Sequence, residues 1–212
     1  HVLPERIYLV EECLCIPNRS SPKDIAPGLS MAGRPIKYSR MENPENLCSE
    51  SGVTIVQSSL NHLDLDFDGI YAPSVVLDFG RIISARSRIH LEGAAGGCVD
   101  IGYAERLIDG HFNIAMASEY ADRYTMKGGE QVFESFSWRA FRYLKLCFRS
   151  CFEPVRIRSV HGVISTYPYE EKGKFSSTDK MLNDVFGISR ATIRLCSNEF
   201  LMDTPWREQA QW

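Results

Sequence analysis

The sequence predicts a mainly β fold, an antiparallel β-sandwich, followed by a helical segment. Two patterns and the size of the chain carry that expectation. From about residue 52 onward, apolar and polar residues alternate in many short runs with turn signals between them. After Pro168 the period changes to three and four, which is the spacing of one helix face. With 212 residues, 44% hydrophobic and 24% charged, the chain is long enough for one large domain or two small ones with a real core.

Taken in order, residues 1–10 read as a strand or its approach, with Ile7, Leu9 and Val10 apolar. Residues 16–50 mix proline, glycine, serine and charge and show no sustained period. They fit an irregular lead or short strands joined by turns. The expected organisation is a lead over 1–60, a sandwich over 61–166, and a linker with the start of a helical domain over 167–212.

In Asn61-His-Leu-Asp-Leu-Asp-Phe-Asp-Gly69, Leu63, Leu65 and Phe67 alternate with Asp64, Asp66 and Asp68. This is the pattern of a half-buried strand. A calcium loop of the EF-hand type would need a glutamate at its twelfth position and flanking helices, which this stretch lacks. Further strands are expected at Ser74–Gly80, Arg88–Gly93, Cys98–Tyr103, from Gln131, at Arg142–Phe148 and at Val155–Val160. Each hides one face, so two sheets must meet. Gly93-Ala-Ala-Gly-Gly97 reads as a tight turn, since it departs from G-x-G-x-x-G and no helical pattern follows it. Phe133, Phe136, Trp138, Phe141 and Tyr143 form an aromatic cluster that suits a sandwich core. The sharper alternative is a carbohydrate-stacking face.

Ser176-Ser-Thr-Asp179 offers cap residues for a helix of about 20 residues. Its apolar stripe runs through Leu182, Val185, Phe186, Ser189, Thr192, Ile193, Cys196 and Phe200. Such a stripe needs partner helices, so further chain is expected beyond Trp212, and the unpaired face is a candidate for self-association. Pro205 ends this helix or opens the next. In the second case Arg207 with Gln211, and Glu208 with Trp212, would pair at i,i+4.

The formal net charge of -3 gives no broad basic field for nucleic acid or an anionic membrane. Arg81, Arg86 and Arg88 read as the wet face of a strand. No transmembrane stretch or signal peptide is read. Seven cysteines show no zinc-finger spacing and lie mostly in apolar runs, so they are expected as free core thiols. That favours a reducing, cytoplasmic setting, with a secreted or periplasmic one as the alternative. Asn18-Arg-Ser20 is a formal glycosylation sequon. No metal or organic cofactor is expected.

The densest chemistry is Asp203-Thr-Pro-Trp-Arg-Glu-Gln-Ala-Gln-Trp212. A carboxyl that donates a proton near neutral pH needs burial or a neighbouring negative charge. Trp206 and Trp212 are candidates for a dry wall beside Glu208. Asp203 is suited to accept hydrogen bonds from a polyol, and Arg207 to hold a hydroxyl or carboxylate. The bland alternative makes Asp203 a helix cap, and Arg207 and Glu208 surface charges.

This stretch resembles the signature of the α-L-rhamnosidase family of glycoside hydrolases, family 78, which runs roughly D-x-P-x-R-E-x-x-x-W-x-G-D. Asn183-Asp-Val-Phe-Gly-Ile-Ser-Arg-Ala-Thr-Ile-Arg-Leu-Cys196 resembles that family's first catalytic-domain helix. Val75-Val-Leu-Asp-Phe-Gly80 and Phe136-Ser-Trp-Arg-Ala-Phe-Arg-Tyr143 resemble segments of the preceding β-sandwich. The resemblance implies an antiparallel β-sandwich followed by the first helix or helices of a truncated (α/α)6 barrel. It implies a carbohydrate substrate, terminal α-L-rhamnose, cleaved with inversion. Glu208 would be the general acid, Asp203 and Arg207 would bind sugar, and Trp212 would line the pocket. The closing Gly-Asp and the general base lie outside the chain, so the chain alone is expected to be inactive. The alternative is a carbohydrate-binding or structural sandwich without catalysis.

Overall fold

The computed structural model describes residues 1–15, 22–61, 69–115, 118–206 and 208–211. The sequon at Asn18 and the aspartate alternation 64–68 lie outside the described residues. Ten strands are present among the described residues: β1 (Arg6–Cys15), β2 (Arg40–Glu42), β3 (Thr54–Gln57), β4 (Ser59–Asn61), β5 (Gly69–Gly93), β6 (Cys98–Ala104), β7 (Ala121–Thr125), β8 (Gly129–Glu134), β9 (Arg139–Arg149) and β10 (Val155–Ile164). Two α-helices accompany them, α1 (Pro22–Ser30) and α2 (Lys180–Leu195). The fold is mainly β, a sandwich followed by a helix, as the alternation and the change of period predict.

The two layers share one strand. The first part of β5 pairs with β1 over 70–78 and with β9 over 74–78. Its last part pairs with β10 over 85–92 and with β8 over 88–93. β6 and β7 extend the first layer beyond β9, while β3 and β2 extend the second beyond β10. The sequence read Ser74–Gly80 and Arg88–Gly93 as separate short strands. The structure runs them together, because Gly80 at φ 72° turns the chain without ending the ladder. A side chain at Gly80 would also collide with the Glu5 carboxylate.

Asp78 pins this bend and is fully buried. Arg142, Arg6 and the Gly80 amide all donate to its carboxylate. The Arg142 pairing holds its carboxyl well below the ordinary value, at about 2.

Between the layers lies the main core. Val75 and Leu77 from one end of β5 meet Ile89 and Leu91 from the other, with Ile101, Phe141, Leu144, Leu146, Phe148 and Ile157. Alternation along β9 sends Tyr143, Lys145 and Cys147 to the opposite face. That face is covered by Ile25, Ala26 and Leu29 of α1 and by Phe112 and Ile114 of the loop after β6. The 16–50 stretch, where no sustained period reads, thus holds a helix that roofs the first layer.

Beneath this roof sit paired charges. Lys145 Nζ donates to Glu11 Oε1 at 2.7 Å. Arg123 donates to both oxygens of buried Asp100. Arg149 Nε lies 2.6 Å from Asp100 but off the hydrogen-bond axis, so it acts there as a charge contact. All seven cysteines are free, and Cys13, Cys15, Cys147, Cys151 and Cys196 are buried. Burial pushes the Cys151 thiol up to about 12, which makes it an inert core group.

On the outer face of the second layer, Arg86 and Arg88 pair with Glu134 across the strands, the solvated strand face that their spacing implies. Among the described residues, no helix is long and apolar enough to cross a membrane.

Candidate functional site

α2 begins where the sequence places it. Asp179 is the cap residue, and its carboxylate accepts the Met181 amide at 2.8 Å. The apolar stripe is open: Leu182, Val185, Phe186 and Ile193 are exposed, and α2 contains no buried residue. Its charged flank meets the linker, where Glu171 pairs with Arg194 at 2.6 Å and Arg190 at 3.6 Å. Tyr169, Phe186 and Ile193 line a groove of about 330 Å³ beside these charges. The groove lies along α2, away from the terminal stretch.

After α2 the chain turns. The Met202 amide donates to the Cys196 carbonyl, and Ser197 bridges to Leu201. The terminal stretch then forms a closed loop. The Asp203 amide donates to the Ala210 carbonyl at 3.0 Å, and Asp203 Oδ1 accepts the Ala210 amide at 3.0 Å. Residues 205–206 and 208 are turns, and Gln209 has a left-handed φ of 51°. The expected helix from Pro205, with its i,i+4 pairs, is therefore absent from the described residues. A left-handed residue at 209 and an amide at 210 committed to Asp203 interrupt any helical ladder.

Asp203 and Glu208 sit on this one loop, both exposed. Arg207 and Trp212 lie outside the described residues. Asp203 closes the loop through Ala210 with one carboxylate oxygen.

Trp206 does not stand as a wall beside an outward carboxylate. It turns inward and stacks on Tyr120, ring centroids 3.8 Å apart and planes 29° apart. It packs against both apolar clusters of the sandwich. Tyr120 is buried and its hydroxyl meets the Gln209 side chain, whose amide also donates to the Pro205 carbonyl at 3.1 Å.

Negative charge gathers around this junction. Burial pushes the Tyr120 phenol up, with Glu105 and Glu119 adding to the effect. Burial raises the Glu105 carboxyl, opposed by Arg106. Burial raises the Cys196 thiol, with Asp203 and Glu105 contributing. Tyr120 and Glu105 belong to the sandwich and escaped the sequence reading. Their only local signal is a tyrosine and a carboxylate in loosely patterned loops. Among the described residues no group of three or more His, Cys, Asp or Glu side chains converges as a metal site.

The aromatic cluster divides. Phe141 and Tyr143 are buried, Phe133 is partly buried against the core, and Phe136 is fully exposed. Most of the cluster is core.

Comparison with known proteins adds relatives to this geometry. Residues 71–163 match the model described as bacterial alpha-L-rhamnosidase concanavalin-like domain. The β-sandwich is homologous to that of GH78 rhamnosidases. A GH78 family rhamnosidase of Bacillus sp. GL1 is 30% identical, with a TM-score of 0.64 over 79% of this chain and 17% of its own. An alpha-L-rhamnosidase of Streptomyces avermitilis, solved with L-rhamnose, is 27% identical over 63% of this chain and 13% of its own, with a TM-score of 0.47. The chain therefore spans less than a fifth of either relative's length. Among curated proteins, none matches.

Proposed function

We propose that this chain is a segment of an inverting glycoside hydrolase that releases terminal α-L-rhamnose from glycosides or polysaccharides. The observation that carries the reading is the 30% identity to the Bacillus GH78 rhamnosidase over 79% of the chain. The terminal Asp-x-Pro-x-Arg-Glu stretch supports it. In this reading Glu208 is the proton donor to the departing glycosidic oxygen. Asp203 and Arg207 hold sugar hydroxyls, and Trp212 lines the pocket.

Inversion uses a second carboxylate about 6.5–9.5 Å from the acid, with water between it and the anomeric carbon. That base, and the walls that would shield Glu208 from water, belong to the rest of the helical domain in this reading. The 212 residues alone are then a binding and positioning platform without turnover. The test is Glu208→Gln in the complete hydrolase. Turnover should fall by about 10²–10⁴-fold, the usual worth of a general acid, while sugar binding persists. Unchanged turnover removes the assignment.

The second reading is a carbohydrate-binding sandwich without catalysis. It draws on Phe136, whose ring is wholly open to solvent. Titration of the chain with rhamnose and neutral glycans tests it. Tight binding that Phe136→Ala abolishes would favour it over the hydrolase.

A further inference from the structure

The geometry points to Tyr120 and Trp206 as positioning residues that fix the Glu208 loop onto the β-sandwich. The inference rests on the proposed role of Glu208 but concerns residues which that role leaves unused.

The chain of contacts starts in the core. Tyr103 is fully buried and its hydroxyl meets Ser87 Oγ at 2.7 Å and Asp122 Oδ2 at 2.8 Å. Arg139 donates to both oxygens of Asp122 at 2.8 and 2.9 Å and lies 4.7 Å over the Tyr103 ring. Its Nε donates to the Glu119 carbonyl at 2.8 Å. That bond fixes the turn Ser118–Tyr120, whose last residue presents its ring to Trp206.

Trp206 and Gln209 then hold the loop from inside, on either side of the exposed Glu208. Gln209 keeps a left-handed backbone, which costs a non-glycine residue about 1 kcal/mol and persists only where neighbours fix it. Those neighbours are the Tyr120 hydroxyl and the Pro205 carbonyl. The Asp203–Ala210 bonds close the loop's neck. Glu208 is thus carried on a mount built from the sandwich. A proton donor misplaced by about 1 Å loses about 10²-fold in rate, so such a mount bears on turnover more than on binding.

The experiment has two arms. In the 212-residue chain, hydrogen exchange is read at the Asp203 and Ala210 amides. Trp206→Leu should speed exchange there by about tenfold or more and leave core amides such as Leu146 unchanged, while Trp206→Phe restores protection. In the complete hydrolase, Trp206→Leu and Tyr120→Leu should each lower kcat by about 10²-fold with KM within about threefold, and Tyr120→Phe, which keeps the ring and loses the Gln209 contact, should recover part of it. Because Trp206 is only half-buried, its variants test the idea even where Tyr120→Leu fails to fold.

Unchanged exchange in folded Trp206→Leu overturns the proposal. So does unchanged kcat in both leucine variants when Glu208→Gln is inactive. Active Glu208→Gln together with loosened exchange in Trp206→Leu identifies the catalytic reading, and not the mount, as the error.

Discussion

Arg142 grips Asp78 with two parallel bonds, its Nε and Nη2 meeting separate carboxylate oxygens at 2.7 and 3.0 Å. The pair sits where β5 leaves one layer for the other, so its charge state and the bend are coupled. Asp78→Asn should destabilise the chain by about 3 kcal/mol, because Arg142 and Arg6 lose their shared anion. The pH dependence follows from a carboxyl lowered from 3.8 to about 2. A lowered acid contributes stability above its unfolded value, and that contribution is lost as pH falls through the folded value. Wild type should therefore lose about 2 kcal/mol between pH 5 and pH 2 that Asp78→Asn does not lose. Urea denaturation at these two pH values checks it. An unchanged gap between the two proteins would count against the coupling.

The Lys145–Glu11 pair behaves differently, because both partners are under the α1 roof. Lys145→Met should cost about 3 kcal/mol by leaving a buried carboxylate without its cation. Adding Glu11→Gln should return at least half, since the amide oxygen can still accept the Gly33 amide that Glu11 now binds at 2.9 Å. A double-mutant cycle by chemical denaturation measures this, and strictly additive losses would refute it.

α2 should unfold by itself before the sandwich does, since none of its residues is buried. Asp179→Ala removes the carboxylate on the Met181 amide and should weaken the helix by about 1 kcal/mol. Far-UV circular dichroism should show an earlier loss of helix, with the main sandwich transition unmoved. A lower sandwich midpoint would mean that α2 is coupled to the core.

Pure 212-residue protein should hydrolyse no aryl α-L-rhamnoside. Glu208 is open to water here, and acid catalysis at a glycosidic bond needs a drier setting. Measurable turnover, lost in Glu208→Gln, would show that these 212 residues suffice for the chemistry.

What the sequence made legible was local. Ser74–Gly80, Cys98–Tyr103 and Arg142–Phe148 were marked as short runs rich in apolar residues between turn signals, although most of their residues are buried on both faces. The Asp179 cap and the stripe of α2 were visible from local spacing, without any tertiary partner. The Gly80 bend was hidden because a glycine within alternating residues reads as a stop, yet here it lets one strand continue. α1 was hidden by Pro27 and Gly28, which spoil a helical period that tertiary burial of Ile25, Ala26 and Leu29 restores. At the terminal stretch the residue types were legible, and the direction of Trp206 was not. Its orientation depends on Tyr120, far upstream, and no spacing rule connects them.

A strand held in common by two sheets also ties their fates in time. β5 cannot finish its edges until residues as distant as Arg6 and Ile164 have arrived, so the sandwich should assemble late and all at once. A protease cut at the Gly80 corner would separate the layers' shared spine and collapse both, whereas a cut in the 169–173 segment would leave the sandwich standing, with the chain after α2 still held to it through Trp206 on Tyr120.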